Sequence, residues 1–479
     1  MLDATPLARL YARVRLRAMS RGSPMQQQQD QLTRLLRRAA GTRFGREHGF
    51  GRIGGVREFQ ERVPLRRYEA FWEEYWKDSF PTLADATWPG AMPYLAESSG
   101  TSSGKTKYLP VSRAMVAANR RAALTLIALH LANRPDSRVL GGKNFMLSGS
   151  TELRRAGPDT WTGDLSGIAG REVPGWVKAY YYPPAELSRI ADWEQKVEVL
   201  GRASVQEDIR TIGGTASWLL LFFDRLRQIH DRPQGRLADF YPHLELLVYG
   251  GVNFAPYRER FEHYLEGSHA ELREVYPASE GFLAIADRGV GEGLRLLLDN
   301  GLFYEFVPVE ELDAPAPRRF WIGDVECGVN YAVILSSCAG VWAYVLGDTV
   351  RFVDRGCPRV LVTGRVSTYL SAFGEHLIGE EIEKAVTAAA DRVDGSVRDF
   401  TVAPVYPSSK AERGHHLFLV EFEAPLPGDA VSVFARTLDE VLADLNLDYR
   451  AHRSGDFGMG PPEVEVLPPG RFAAWMKQR

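Results

Sequence analysis

Hydrophobic positions recur at helical spacing almost from the start of the chain: Leu7, Leu10 and Val14, then Leu32, Leu35 and Leu36. Gly22-Ser23-Pro24 interrupts the run between Pro6 and Ala40, so two packing helices with a solvated, arginine-rich face are predicted. From Ala91 the period changes. Met92 to Ala96 and Tyr108 to Val111 read as short strands, and Ser112 reads as the N-cap of a helix running from Arg113 to Ala132. Apolar runs of strand length follow at Leu244 to Tyr249, Leu294 to Leu298 and Arg359 to Val362, mixed with helical stretches at Trp193 to Ala203 and Trp218 to His230. Tyr331 to Gly347 is the longest charge-free apolar stretch. It is shorter than the ~20 residues of a spanning helix and is broken by Ser336, Ser337 and Gly340, so it predicts two buried strands around a turn. Past Arg365, His376 to Ala389 has the pattern of an amphipathic helix with Leu377, Ile378, Ile382, Ala385 and Val386 as its apolar side. Arg398 to Val405 and Leu417 to Phe422 read as strands, and Ala430 to Leu445 as a helix. The pattern predicts an α/β protein with a large N-terminal domain, residues 1–362, and a small α+β C-terminal domain, residues 363–479.

Composition narrows the class. The 479 residues are 45% hydrophobic, enough for a sizeable core and against disorder. A formal net charge of -3 argues against a general nucleic-acid binder. Three cysteines, Cys327, Cys338 and Cys357, are too few for a disulfide framework and lack zinc spacing, so a reducing cytoplasm is the expected compartment. No signal peptide is legible at Met1, and no membrane partner is expected. Only nine of the 58 basic residues are lysine, and Lys105 and Lys107 fall in one short stretch.

That stretch carries the strongest local chemistry. Ser98-Ser99-Gly100-Thr101-Ser102-Ser103-Gly104-Lys105-Thr106-Lys107 offers glycines that let backbone amides turn inward, hydroxyl donors and two cations, the means to surround phosphate oxygens. It is not a P-loop: three residues rather than four separate Gly100 from Gly104, and a strand with Pro110 follows where a helix should begin. A polar hairpin loop is the plain alternative. Tyr276-Pro277-Ala278-Ser279-Glu280-Gly281 places a carboxylate able to hold magnesium, and an aromatic able to lie on a base, ahead of a strand at Phe282 to Ile285; an ordinary turn is the alternative. In Tyr344-Val345-Leu346-Gly347-Asp348 the aspartate suits a ribose diol, or Gly-Asp forms the bend of a hairpin. Gly250-Gly251, after a strand, would let a ligand lie against backbone. His415-His416 and His376 read as surface or loop residues, and Cys338 as an inert core thiol.

Taken together and in order, the three clusters resemble the adenylate-forming enzyme superfamily, and more closely the auxin-responsive promoter (Gretchen Hagen) family of acyl acid–amido synthetases. The family's Ser-Ser-Gly-Thr-Ser-x-Gly-x-x-Lys stands as Ser98 through Lys107, its Tyr-x-x-Ser-Glu as Tyr276 to Glu280, and its Tyr-x-x-Gly-Asp as Tyr344 to Asp348. Thr42-x-Phe44-Gly45, Val63-Pro64-Leu65 and Leu447-x-Tyr449 with Arg453 are similar flanks. The resemblance implies a large α/β domain with a small mobile C-terminal domain. It also implies an enzyme that joins a carboxylic acid to an amine or amino acid, with ATP and Mg2+ as cofactors, through an acyl-adenylate. By this likeness Ser98, Ser99, Gly100, Thr101, Ser102, Ser103 and Lys107 would cradle phosphates and Glu280 would ligate magnesium. Tyr276 and Ser279 would sit at the adenine and α-phosphate, Asp348 on the ribose, and Arg365 at ribose or phosphate near the hinge.

Two departures stand out. The family carries arginine at the positions of Ala343 and Val345, and it continues past a Trp-Met segment like Trp475-Met476 to a terminal lysine that has no counterpart here. Lys477 is the nearest cation in sequence, with Arg450 and Arg453 as alternatives. An acyl-CoA or carrier-thioester synthetase and an inactive nucleotide- or acyl-binding protein are the rival functions. Aromatic stretches at Trp161 to Gly167 and Trp176 to Tyr182 are candidates for an acid pocket, or for core.

Overall fold

The computed structural model describes residues 2–99, 106–148, 151–190, 192–250, 254, 257–366, 370, 377–405, 413–446, 449–450, 453 and 459–476. The chain separates into two compact units, Met1–Val362 and Thr363–Arg479.

Helices Thr5–Met19 and Pro24–Ala39 open the large unit. Ser23 caps the second, its hydroxyl accepting from the Gln26 amide, and Pro24 takes the first helical position, where its missing N–H is no loss. Leu32, Leu35 and Leu36 are buried as their spacing requires. Leu7, Leu10 and Val14 are exposed, contrary to the apolar pattern. The first helix instead turns Ala8, Ala12, Leu16 and Met19 inward, because small alanines let it lie close to the helix Arg113–Asn133. Arg15 is buried on that side, bonded to Thr125 at 2.8 Å and to Asp299 through both terminal nitrogens. Ser112 caps Arg113–Asn133 as predicted, accepting from Met115 N at 3.1 Å while donating to the Cys338 carbonyl.

A twelve-stranded mixed sheet runs Phe320–Trp321, Leu302–Pro308, Asn330–Ser337, Tyr344–Asp354, Arg359–Arg365, Leu294–Leu296, Gly281–Ala286, Glu271–Ala278, Leu246–Gly250, Ile209–Thr215, Lys143–Met146, Tyr181–Tyr182. From Glu271–Ala278 to Tyr181–Tyr182 neighbouring strands are parallel; Glu271–Ala278, Gly281–Ala286, Leu294–Leu296 and Arg359–Arg365 pair antiparallel in turn, as do Tyr344–Asp354, Asn330–Ser337, Leu302–Pro308 and Phe320–Trp321. A four-stranded sheet runs Thr106–Val111, Tyr94–Ser99, Trp161–Gly163, Arg154–Arg155. Phe145, Ile212, Leu247 and Tyr249 pack one face of the parallel region against Leu219, Phe222 and Phe223 of the helix Ala216–Ile229.

The small unit has the three-stranded sheet Val397–Val405, His415–Phe422, Glu463–Leu467 with helices Gly379–Arg392 and Ala430–Leu445. Ile382, Ala385 and Val386 meet Phe434, Leu438 and Leu442 in its core. The first of these helices starts later than its pattern suggested. Glu381 accepts from the Ile378 amide, capping the helix there, and Leu377 is buried by an extended pairing with Leu370. His376 lies outside the described residues. His416 is a core residue, not a surface one: strand alternation puts it on the same inward face as Phe418, Val420 and Phe422, near Tyr449. His415, on the outward face, meets Glu463 at 3.1 Å.

Candidate functional site

Ser98 and Ser99 end one strand and pair with Lys107 and Thr106 of the next, so the hydroxyl-rich stretch begins and ends on two antiparallel strands. No helix begins at Thr106, which agrees with rejecting a P-loop. Gly100, Thr101, Ser102, Ser103 and Lys105 lie outside the described residues, as do Gly251 and Lys477. Lys107 belongs to the strand rather than the loop, and its side chain is anchored on two neighbours that the sequence reading missed. Its Nζ is 3.5 Å from Glu69 and 5.2 Å from the centre of the Tyr68 ring. The Tyr68 hydroxyl accepts from the Tyr108 amide at 2.9 Å. Glu97, just ahead of the serines, accepts from Arg154 at 2.6 and 2.7 Å and from Thr162 at 2.9 Å, which neutralises a charge that would repel phosphate.

Ser279 and Glu280 form the turn between Glu271–Ala278 and Gly281–Ala286. Gly281 is required there because a Cβ would meet Leu302 Cδ2 at 2.6 Å. Glu280 is buried at that turn. Tyr276 is not in a loop but inside the strand, next to a register shift between Phe282 and Ala284. Asp348 is also inside a strand, which overturns the hairpin-bend alternative. The strand Tyr344–Asp354 bulges where its register against Asn330–Ser337 shifts, and Gly347, at φ +93, supplies the left-handed residue. Such a bulge re-aims the side chain that follows it.

The Tyr276 hydroxyl donates to Asp348 Oδ2 at 2.8 Å. Three strands separate theirs in the sheet order, a spacing of about 19 Å in a flat sheet, which two side chains cannot bridge. The sheet therefore curls, and the curl closes the second and third clusters on each other. Tyr344 hydrogen-bonds Glu280, and burial first, then the Glu280 charge and bond, push its phenol well above the usual range. The nearby Glu69 and Tyr68 push it the same way, so the partners of Lys107 border the second and third clusters. Backbone bonds fix this approach: Arg66 N donates to Ala343 O at 3.0 Å, and Val345 N donates to Arg66 O at 2.9 Å. Lys107, Tyr276, Glu280 and Asp348 are thus gathered in one region of the large unit, with Tyr68, Glu69 and Tyr344 linking them. Glu280 is a buried oxygen donor of the kind magnesium takes together with substrate phosphates and water. Among the described residues no larger metal-ligating group occurs.

Other predicted residues have plainer structural roles. Gly250 ends its strand where a Cβ would fall 2.3 Å from the Val275 carbonyl oxygen, so close strand packing accounts for it. Arg365 is the exposed last residue of Arg359–Arg365. Arg453 is held by Asp439 at 2.8 and 2.6 Å, and the exposed Arg450 bonds Ala443 O and Asp444. Ala343 and Val345, where the family carries arginine, are buried here. Trp161 lies under the Arg171 guanidinium at 4.0 Å. Burial pushes the Cys338 thiol up to about 12, in keeping with an inert core thiol.

One arrangement escaped the sequence because its order is scrambled. His130 lies 2.6 Å from Glu271 and 3.0 Å from the Ser137 hydroxyl, the line of a Ser–His–Glu relay. Here it is structural: Ser137 Oγ accepts from Val139 N, while the Ser137 and Arg138 amides bond Arg134 O and Glu245. Those amides cannot serve an oxyanion. Burial would raise the Glu271 carboxyl, but bonds from His130 and Arg273 prevail and hold it at about 2.

With this geometry in place, likeness to known proteins can be weighed. The GH3 family N-terminal domain matches residues 16–157, its central domain residues 295–365 and its C-terminal domain residues 380–479. An indole-3-acetic acid-amido synthetase GH3.3 of Arabidopsis thaliana is 25% identical over 255 residues, 51% of this chain and 42% of that protein. A probable indole-3-acetic acid-amido synthetase GH3.9 of Oryza sativa subsp. japonica is 29% identical over 223 residues, 44% of this chain and 50% of that one. The matched stretches thus span half or less of these relatives' own length. Among solved structures, a GH3.15 acyl acid amido synthetase superposes with TM-score 0.79 at 19% identity, covering 95% of this chain and 88% of the other. A 2-hydroxyisobutyryl-CoA ligase in the postadenylation state gives TM-score 0.61 at 15% identity, covering 92% and 85%. The fold is that of the adenylate-forming enzymes.

Proposed function

The chain belongs to the GH3 family, and from that membership we propose that it is an ATP-dependent acyl acid–amido synthetase. A carboxylate is a poor electrophile because its oxygen leaves badly. In the first half-reaction the acid's oxygen attacks the α-phosphorus of ATP, and pyrophosphate departs with the bonding electrons. In the second, an amine attacks the acyl carbon, AMP leaves, and the amine's proton passes to solvent or a base. The observation that carries the reading is the gathering of Lys107, Glu280, Tyr276 and Asp348 in one region.

Each residue has a task suited to its chemistry. The Ser98–Ser103 stretch and Lys107 meet the negative oxygens of the β- and γ-phosphates, where charge builds as pyrophosphate leaves. Tyr276 orients the Asp348 carboxylate for the ribose hydroxyls, and Tyr344 orients Glu280. Ser279 stands beside Glu280 at the α-phosphate. Magnesium held by Glu280 would supply positive charge to the phosphates. The family resemblance gives Arg365 a place at ribose or phosphate; Lys477 is the nearest cation in sequence to the family's terminal lysine but does not stand at its matching position. The acid and the amine or amino acid are small molecules, and the cytoplasm is the proposed compartment.

The deciding experiment follows ATP–pyrophosphate exchange over a panel of carboxylic acids, then AMP release on adding amino acids or CoA. Acid-dependent exchange followed by an amide product is expected. A thioester with CoA and no amide would assign the protein to the acyl-CoA synthetases instead. ATP binding without exchange on any acid would leave it a binding protein.

A further inference from the structure

Helix Thr5–Met19 has two faces. Ala8, Ala12, Arg15, Leu16 and Met19 point into the large unit. Leu7, Leu10 and Val14 point away and are 74%, 62% and 63% exposed, with Leu2 ahead of them at 86%. At about 100° per residue the three helical positions fall within a wedge of roughly 60°. Arg13 and Arg17 border that wedge, and Arg21 follows just past the helix. All three arginines are exposed, and none has an ion pair or side-chain hydrogen bond among the described residues. Exposed arginines elsewhere do find carboxylates, as Arg154 does at Glu97, Arg225 at Glu198 and Arg318 at Glu311. The helix itself contains no Asp or Glu. The stripe also lies ahead of residue 16, where the match to the family's N-terminal domain begins.

An apolar ridge fringed by unpaired guanidinium groups suits a layered surface, apolar within and negative above. We propose that this face docks the protein reversibly, as a peripheral contact, on an anionic lipid bilayer. Leucine and valine enter the outer acyl region while the arginines reach back to headgroup phosphates. A second copy of the chain fits less well: antiparallel symmetric pairing would put the arginine flanks of both copies on the same side of the contact. Three side chains also fall far short of the ~800 Å² per partner that a standard interface buries. The sequence alone suggested a solvated face and no membrane partner. No described helix is long and apolar enough to cross a membrane, and this contact requires none.

The test is co-sedimentation of the full chain with phosphatidylcholine vesicles carrying roughly one-third phosphatidylserine, against phosphatidylcholine alone. Binding is expected only to the anionic vesicles. It should weaken about tenfold in Leu7→Ser/Leu10→Ser/Val14→Ser, and about tenfold in Arg13→Gln/Arg17→Gln/Arg21→Gln or in ~0.5 M salt. Both variants should keep the parent's unfolding transition, since the changed side chains are exposed. Absence of binding to anionic vesicles, or equal binding by the serine variant, overturns the proposal. So does a dimer in light scattering that the serine variant abolishes, which gives the face to a second copy. Tighter capture by soluble polyglutamate than by vesicles likewise overturns it, in favour of an acidic protein.

Discussion

Glu69 holds Lys107, and a triphosphate must compete with it. The pair is partly exposed, so the bond is weak and the competition mild. Glu69→Gln should therefore lower the KM for ATP about threefold with little change in kcat. A raised KM would mean that Glu69 helps bind the nucleotide rather than competing for its lysine. Asp348→Asn and Glu280→Gln keep shape while removing charge, and each should reduce pyrophosphate exchange at least about a hundredfold. Exchange at the parent's rate in either variant refutes the site. Lys107, Tyr276, Glu280 and Asp348 stood out in sequence because the motifs around them resemble a family's, and the structure brings them into one region. Tyr68 and Glu69 were not legible, since only the Val63-Pro64-Leu65 flank pointed near them and nothing local marks an ion-pair partner 38 positions from its lysine.

Two glycines separate the demands of an element from those of the site. Gly347 sits in the bulge with open space around its missing Cβ, so only its left-handed backbone excludes other residues. Gly347→Ala should cost about 1–2 kcal/mol and, by shifting Asp348, lower exchange about tenfold or more. Gly281→Ala drives a Cβ against Leu302, itself buried, and should destabilise by about 1–3 kcal/mol. Denaturant midpoints and exchange rates measured on both variants check this contrast. If Gly347→Ala loses stability but keeps full exchange, the bulge does not aim Asp348. Strands and helices were largely legible from period and caps, as Ser112 shows. The helix start at Gly379 and the buried His416 were misread, because a capping glutamate and an alternating polar residue look like surface in one dimension.

At the scale of the molecule, a half-buried carboxyl couples stability to pH near neutrality. Burial pushes Glu274 from its ordinary 4.5 up to about 7, against the Tyr249 hydrogen bond and the Arg258 charge. Between these values the folded state holds a proton that the unfolded chain has released, so stability falls as pH rises through the window. The fall is about 3 kcal/mol at most, and Glu274→Gln should abolish it. Urea unfolding at pH 4 and pH 8 (either side of the window) reads this directly, and an unchanged difference in the variant would remove Glu274 as its cause. By itself the sequence determined the period of most segments, the Ser112 cap and the chemical inventory of the three clusters, since these depend on residues a few positions apart. Only the tertiary structure decided that Tyr276 reaches Asp348, that Lys107 rests on Glu69 and that Leu7, Leu10 and Val14 stay outside. Those outcomes depend on strand order, sheet curl and which face a helix can pack most closely, and these are properties of distant segments acting together.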